Sequence, residues 1–401
     1  MIGKTYNIVR SWFTDRYPVD DVEEFAKGQA EKPLPPHVSY LHTFGSLALF
    51  LMVNQIVTGI LLMVYYRPTE DTAFESVKYI MTDAQFGWLI RGLHSWGANI
   101  MIIVLVLHMF RTFAMGSFKK PRELTWVVGC VIFFVTLTFG FTGYLLPWNQ
   151  LSYWATTVGT EVAGAVPYLG EFVRYLLRGG TAVGEETLSR FYVVHVVVLP
   201  WVLVGLVGLH IVLMRVQGLS PLTPVGQEPK LKKGEGTPFF PDHTVKEMVV
   251  FPMFLLAMIA IVVFIPVELG EKADPFVTPE GIKPEWYFLP MYQMLKYFPK
   301  LLGIVASSMP MIILILWPFL DRSRPRRPGQ RPISMTIGVL ALLAAIFFGV
   351  LGHYSETNVT VSGTEYHIDL YGVPHKVEDM EAHEPASEQS PLEEDRGDGT
   401  E

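Results

Sequence analysis

The apolar run from about Gly87 to Phe118 carries His94 and His108, and a second run, from Phe191 to about Val216, carries His195 and His210. An imidazole at membrane depth is costly and needs a partner, a proton path or a metal. His94 and His108 are 14 residues apart, which on one helix sets them about 40° apart on one face and about 21 Å apart along the axis. His195 and His210 are 15 apart, within about 60° of one face and about 22 Å along the axis. Two such helices packed side by side in the same direction bring His94 to His195 and His108 to His210, one pair near each membrane surface. Imidazole nitrogen ligates transition metals, and an axial pair drawn from two helices suits a planar haem iron. One histidine alone is equally well read as a neutral side chain bonded to a neighbouring helix; four at matched depths multiply the cost of that reading.

Other residues repeat the interval. Gly45 and Gly59 in one apolar run, and Gly129 and Gly143 in another, are also 14 apart. Glycine in a membrane helix commonly marks close backbone packing, and the shared interval points to something flat and bulky pressing at two depths. Arg91 and Arg190 precede the outer histidines by three and five residues, and Arg111 and Arg215 follow the inner ones by three and five. Snorkelling to the interface accounts for the inner pair, whereas a local anion such as a haem propionate accounts better for the outer pair. In the second half Glu285 lies between Pro284 and Trp286-Tyr287, just before a hydrophobic span. A carboxylate in apolar surroundings acquires a raised pKa, which suits a proton acceptor; a capping or interfacial carboxylate is an equal alternative.

The elements that must position these residues are membrane spans. Of 401 residues half are hydrophobic and 17% charged, too apolar for a soluble domain. Runs long enough for about 30 Å of hydrocarbon lie at 40–66, 87–115, 124–146, 189–216, 247–268, 300–320 and 333–353. The expected fold class is therefore an all-α integral membrane protein of seven transmembrane helices. Basic residues gather in Arg111–Arg122, in Arg215–Glu235 (Lys230, Lys232, Lys233) and in Asp321–Arg331 with five arginines, which places those loops in the cytoplasm. Glu70, Asp71, Glu75, Asp83, Glu268, Glu271, Asp274 and Glu280 mark the outer loops. The N-terminus is then inside and the C-terminus outside, and the N-terminal residues show no apolar core of a cleaved leader.

The expected organisation is a cytoplasmic segment 1–38 with an interfacial amphipathic helix near Tyr6–Tyr17, a four-helix domain 39–218, a cytoplasmic linker 219–246, a three-helix domain 247–354, and an outer tail 355–401. From about Glu378 that tail is acidic and without periodicity, and reads as disordered. The long aromatic connection after Gly143 contains amphipathic runs at Leu151–Thr157 and Pro167–Leu177, which read as a lid along the outer surface. Cys130 is the only cysteine, which excludes a disulfide, a thiolate-held iron–sulfur cluster and the two-cysteine attachment of a c-type haem.

His94, His108, His195 and His210, with GYLLPWNQ and the tetrad Pro284-Glu285-Trp286-Tyr287, resemble cytochrome b, the quinol-handling subunit of cytochrome bc complexes, over about residues 30–355. PPHVS, YYRP, GWLIR, FKKPRELTWV, RFY and PLTP are most similar to the chloroplast and cyanobacterial branch, although here the two halves are fused in one chain. The resemblance implies two non-covalent b haems, an outer one on His94 and His195 and an inner one on His108 and His210, with Gly45, Gly59, Gly129 and Gly143 making room. It implies that Glu285 and Tyr287, with Tyr144 of the Tyr144–Trp148 loop, handle quinol at the outer face, and that Arg215 lies near an inner quinone site. Thr43 stands where that branch carries a cysteine tethering an extra inner haem, so the resemblance does not extend to that group.

The resemblance thus implies a proton-translocating quinol oxidoreductase subunit of a bacterial inner membrane, with bifurcated quinol oxidation outside and quinone reduction inside. Expected partners are a Rieske-type iron–sulfur protein, a c-type cytochrome subunit, quinone, lipid and a second copy in a homodimer, but not nucleic acid. A di-haem anchor of a dehydrogenase or hydrogenase is the alternative, and it leaves Pro284–Tyr287 unexplained. A transporter using the histidines as proton relays is the non-redox reading. It predicts no visible absorption, whereas the haem readings predict b-type bands in the purified polypeptide, so one spectrum separates them.

Overall fold

The computed structural model describes residues 2–31, 33–35, 37–227, 237–279 and 281–378, and among these seven helices are long and apolar enough to cross a membrane. Lys230, Lys232, Lys233, Glu280 and the acidic run beyond Glu378 lie outside the described residues. The chain opens with α1 (Ile2–Thr14), which exposes Ile8, Val9, Trp12 and Phe13. A second helix, α2 (Val19–Ala30), goes beyond the single amphipathic helix read from the sequence; Asp20 and Glu23 accept from Arg10 at 2.9 and 2.8 Å and fold it back on α1. Strand β1 (Pro33–Leu34) pairs antiparallel with β2 (Thr237–Pro238), tying the start of the chain to the start of its second half.

Four spans build the first half. α3 (Phe44–Met63) packs along α5 (Gly87–Ala114), with the short α4 (Ala73–Thr82) between them in sequence, and α6 (Glu123–Tyr144) packs along α10 (Leu199–Gln217). Between α6 and the fourth span lie α7 (Gln150–Gly164) and α8 (Gly170–Arg178), which take up the two amphipathic runs. The fourth span, Glu185–Gln217, consists of α9 (Glu185–Val193) and α10 joined by one wide, π-type turn at Val194–Val198. Pro200 has no N–H to bond back into the preceding turn, and a wide turn accommodates one extra residue. That extra residue explains the unequal histidine spacings. Fifteen residues across a wide turn cover nearly the rise and rotation of fourteen in the regular α5, so the 60° and 22 Å expected for a regular helix do not apply to the second pair.

The second half adds α11 (Thr244–Phe264) against α5, the short α12 (Leu289–Lys296), α13 (Lys300–Leu320) against α6, and α14 (Pro332–Tyr354) along α12. The segment from 355, read from the sequence as the start of a tail, instead continues into β3 (Thr357–Val361), β4 (Thr364–Ile368) and β5 (Pro374–Lys376), an antiparallel sheet in that order. Ser362 and Gly363 both have positive φ, which a two-residue hairpin turn requires. The sheet is fastened to α12 through Gln293, whose amide donates to Leu370 O at 3.0 Å and accepts from Ser355 Oγ at 2.9 Å.

Most large apolar side chains on the spans are exposed, as a hydrocarbon solvent allows, and the buried ones collect where helices meet. Phe113, Phe118, Trp126, Cys130 and Trp317 join α5, α6 and α13. Beside them the basic loops are partly folded inward: Lys119 and Arg331, both nearly fully buried, each donate to Asp321 at 2.7 Å, and Ser323 and Ser334 add hydroxyl donors. Burial alone would raise the Asp321 carboxyl, but these donors outweigh it and hold the group well below the usual carboxylate range. The network therefore stabilises the fold at neutral pH and loses its effect only as acid protonates that carboxylate. Asp321→Asn leaves Lys119 and Arg331 facing each other uncompensated and is expected to cost about 3–5 kcal/mol. Thermal unfolding in detergent measures the loss, and an unchanged midpoint would show that the network contributes no stability.

Candidate functional site

α5 packs on α3 and α10 packs on α6, and the histidines of α5 face those of the Glu185–Gln217 span. The rings of His94 and His195 have centroids 6.4 Å apart and planes at 71°. A metal bonded about 2 Å from one nitrogen of each ring, with about 1 Å more from nitrogen to ring centre, needs centroids roughly 6 Å apart. His108 and His210 likewise lie within electrostatic range of each other. Among the described residues no group of three or more His, Cys, Asp or Glu could hold a bare ion. Two imidazoles per site fit a metal that brings its own equatorial ligands, and the donor set is therefore that of a bis-histidine haem.

The spaced glycines lie directly against the four imidazoles. A Cβ on Gly45 would stand 3.1 Å from His108 Cε1, on Gly59 3.3 Å from His94 Cε1, on Gly129 3.3 Å from His210 Cε1, and on Gly143 2.5 Å from His195 Cε1. Each glycine thus lets α3 or α6 back directly onto one of the four imidazoles. Beside the outer pair a threonine completes the arrangement. Thr58 Oγ1 donates to Asn54 O at 2.6 Å, so toward His94 Nδ1, 2.9 Å away, its oxygen accepts. Thr142 Oγ1 donates to Thr138 O at 2.9 Å and faces His195 Nδ1 at 3.2 Å in the same sense. Both contacts put the ring proton on Nδ1 and leave the Nε2 lone pair free to ligate. Sequence reasoning missed Thr58 and Thr142, although each immediately precedes one of the spaced glycines.

A second centre lies between the halves, joined to the helix that carries His94. Tyr287 packs against α6 where Gly140 leaves space: a Cβ there would stand 2.6 Å from the Tyr287 hydroxyl. Tyr144 and Tyr287 both lie within electrostatic range of Glu285. Burial pushes the Glu285 carboxyl above the usual carboxylate range and the Tyr287 phenol up as well. Trp286 Nε1 donates to Asn99 Oδ1 of α5 at 2.6 Å, fixing the tetrad to the helix that carries His94. The loop after Tyr144 is stitched to the strip ahead of the tetrad, Asn149 Nδ2 donating to Leu269 O at 2.8 Å and the Ala273 N–H to Trp148 O at 3.1 Å. No local pattern in the sequence marks Asn99 or Gly140. Pro284 lies in irregular chain just before these residues.

The structure does not bring the four arginines to one kind of place. Arg91 donates to Val267 O and Glu268 O at 3.2 and 3.3 Å, and Arg190 donates to Tyr175 O and Leu176 O at the end of α8 at 3.0 and 2.6 Å. Both outer guanidiniums therefore tie segments together, a role that their spacing from the histidines does not reveal. Arg215 stacks over the Phe239 ring, 4.4 Å to its centroid, and Arg111 approaches His37 and His42. Thr43 is buried, with Oγ1 donating to Tyr40 O at 2.6 Å, so no sulfur is available there.

Two family models match: one described as cytochrome b/b6/petB over residues 29–218, and one described as cytochrome b(C-terminal)/b6/petD over residues 272–371. A cytochrome bc complex cytochrome b subunit of Chlorobaculum thiosulfatiphilum is 42% identical over 356 residues, 87% of this chain and 81% of the relative. A cytochrome b of Rickettsia prowazekii is 37% identical over 370 residues, covering 90% of this chain and 91% of the relative. Among solved structures, a chain from a hyperthermophilic respiratory Complex III superposes with a TM-score of 0.78 at 33% identity, covering 86% of this chain and 92% of that one.

The glycine clearances order a set of variants. Gly143→Ala, where the added carbon would sit closest to an imidazole, is expected to strip the outer haem signal, while Gly59→Ala and Gly129→Ala displace their rings by only a few tenths of an ångström and retain most of theirs. Redox difference spectra of the purified variants check the order; equal retention in all three would mean the glycines act elsewhere.

Proposed function

The chain belongs to the cytochrome b family, a subunit type of quinol-oxidising bc complexes, and we propose that it oxidises quinol at the outer face with the two electrons divided between two acceptors. The observation that carries this reading is the juxtaposition of Glu285, Tyr144 and Tyr287 beside the helices bearing His94 and His195. His94 with His195, and His108 with His210, would each hold one b haem. When bound, the pair supplies a one-electron path from the outer to the inner side of the membrane.

Quinol oxidation releases two protons, and the work of the polypeptide is to receive them. Burial raises the Glu285 carboxyl, so the group can take up a proton without leaving a charge stranded in apolar surroundings. Tyr287 and Tyr144 flank it with hydroxyl groups, and Trp286, bonded to Asn99, fixes the backbone between them. Thr58 and Thr142 hold the outer imidazoles in the ligating tautomer. With a single buried cysteine, the chain leaves the iron–sulfur acceptor and any c-type haem to partner subunits, a Rieske-type protein and a c-type cytochrome. Quinone reduction near Arg215 would take its protons from the cytoplasm. Charge moved between the faces works against about 2.3 kcal/mol per elementary charge per 100 mV. In this reading the complex is homodimeric and sits in a bacterial inner membrane, with the N-terminus of this chain inside and its C-terminus outside.

The test uses the complex with its partner subunits and the inner site blocked. An oxidant pulse should then reduce the b haems in the wild type, and Glu285→Gln should slow that reduction by about 10²-fold or more with haem content unchanged. In the wild type the rate should rise with pH through a midpoint above the ordinary value of about 4.3 for glutamate, because the base must be ionised to accept; in the Gln variant that limb disappears. No haem reduction in the wild type would end the divided-electron reading, and a normal rate in the variant would return Glu285 to a structural role.

A further inference from the structure

Glu285 sits in a stretch of chain, 282–285, that forms no helix or strand, so the bonds that fix it come from elsewhere. Downstream, Trp286 is held by Asn99, and the Glu285 carbonyl accepts from the Phe288 N–H at 2.8 Å. Upstream, the Tyr292 hydroxyl donates to Ile282 O at 3.2 Å, and the Lys283 ammonium donates to His353 O and, at 2.9 Å, to Ser355 O. Those two carbonyls lie at the C-terminal end of α14. The last turn of a helix has carbonyls without intrahelical donors, and a cation there meets the negative end of the dipole.

Pro284 joins Lys283 to Glu285. Its ring fixes its own φ and restricts the residue before it, so a displacement of Lys283 is carried to Glu285. Burial accounts for the raised Glu285 carboxyl, and the charges acting on Lys283 are those of Lys296 and Glu356. The ammonium therefore acts on the carboxylate through the backbone.

The carbonyls that receive Lys283 are themselves set by the sheet β3–β5. Ser355 is fully buried, its Oγ donates to Gln293 Oε1 at 2.9 Å, and the Glu356 N–H next to it donates to Ile368 O of β4 at 2.7 Å. Gln293 Nε2 and the Tyr297 hydroxyl both donate to Leu370 O, at 3.0 and 3.1 Å, and Lys296 pairs with Glu356.

We propose that Lys283 is a positioning residue for Glu285 and that the C-terminal sheet is the brace it holds to, so that quinol oxidation depends on strands lying beyond the last span. The assignment rests on the reading of Glu285 as proton acceptor and adds to it what keeps that acceptor in place. A base works only within hydrogen-bond reach of the proton it takes, and a misplacement of about 1 Å costs on the order of 10²-fold in rate.

The experiment measures oxidant-induced b-haem reduction in the purified complex with its partner subunits and the inner site blocked. Lys283→Met, Lys283→Arg and Ser355→Ala are each made alone and together with Glu285→Gln, and haem content is measured in parallel. Lys283→Met keeps the stem but loses the donor and slows reduction about tenfold, and Lys283→Arg, which still donates, recovers most of the rate. In the Glu285→Gln background the methionine causes no further loss, because no carboxylate is left to position. A residue that only stabilised the fold would slow both backgrounds by the same factor. Ser355→Ala breaks the bond to Gln293 but keeps the carbonyl that Lys283 uses; it slows reduction about two- to threefold, again only where Glu285 is present. Should Lys283→Met fail to assemble with haem, Ser355→Ala decides. Wild-type rates in these variants, equal losses in both backgrounds, or an arginine variant as slow as methionine overturns the brace. A wild type without haem reduction, or a normal rate in Glu285→Gln alone, removes the reading of Glu285 itself and the brace with it.

Discussion

An imidazole inside hydrocarbon must settle two demands at once: its ring proton needs an acceptor, and its other nitrogen must stay open if it is to ligate. At the outer pair the fold meets both with a threonine hydroxyl that is already committed as a donor to its own helix, so it can only accept from the ring. The same helices carry glycines that allow the backbone up against each ring. Packing of α3 on α5 and of α6 on α10 is therefore set by the rings. The apolar surfaces of the spans, most of them facing outward, would tolerate many other arrangements.

The second dependence is the seam between the halves of the chain. At the His94–His195 end Arg91, Trp96, Asn99 and Asn149 of the first half bond to Glu268, Ile265, Trp286 and Leu269 of the second. At the opposite end Lys119 meets Asp321, and Arg326 reaches the Gly116 and Lys120 carbonyls. Glu285 is thus held by a tetrad whose position is fixed by residues nearly two hundred places earlier. The Glu285 carboxylate is kept in register with the His94–His195 pair by direct bonds, without relying on lipid-facing surfaces.

Much of this is legible in the chain before it is folded. Seven spans, the pairing of His94 with His195, and the glycine intervals all follow from periodicity and the cost of polar groups in hydrocarbon, which are properties of the chain read in order. The roles of Arg91 and Arg190 are not legible, because a guanidinium near a helix end satisfies equally an anion, water or a carbonyl, and only the fold decides. Asn99 is hidden for a related reason: its partner, Trp286, is distant in sequence. The strands β3 to β5 are obscured by the acidic composition that follows them, while the Ser362-Gly363 turn and the alternation of Val359, Val361, Tyr366 and Ile368 are available as local signals.

The wide turn at Val194–Val198 separates the residue count from the depth a span must cover. One span places its histidines fourteen apart and the other fifteen, yet His94 meets His195 at 6.4 Å between ring centroids and His108 lies within electrostatic range of His210. Deleting one residue from that turn, with Pro200 replaced by a residue that has an N–H, would leave a regular helix with its histidines at much the same heights. Insertions and deletions here are thereby decoupled from cofactor spacing, so descendants of one ancestral protein could differ in length at this point and still conduct electrons over an identical gap.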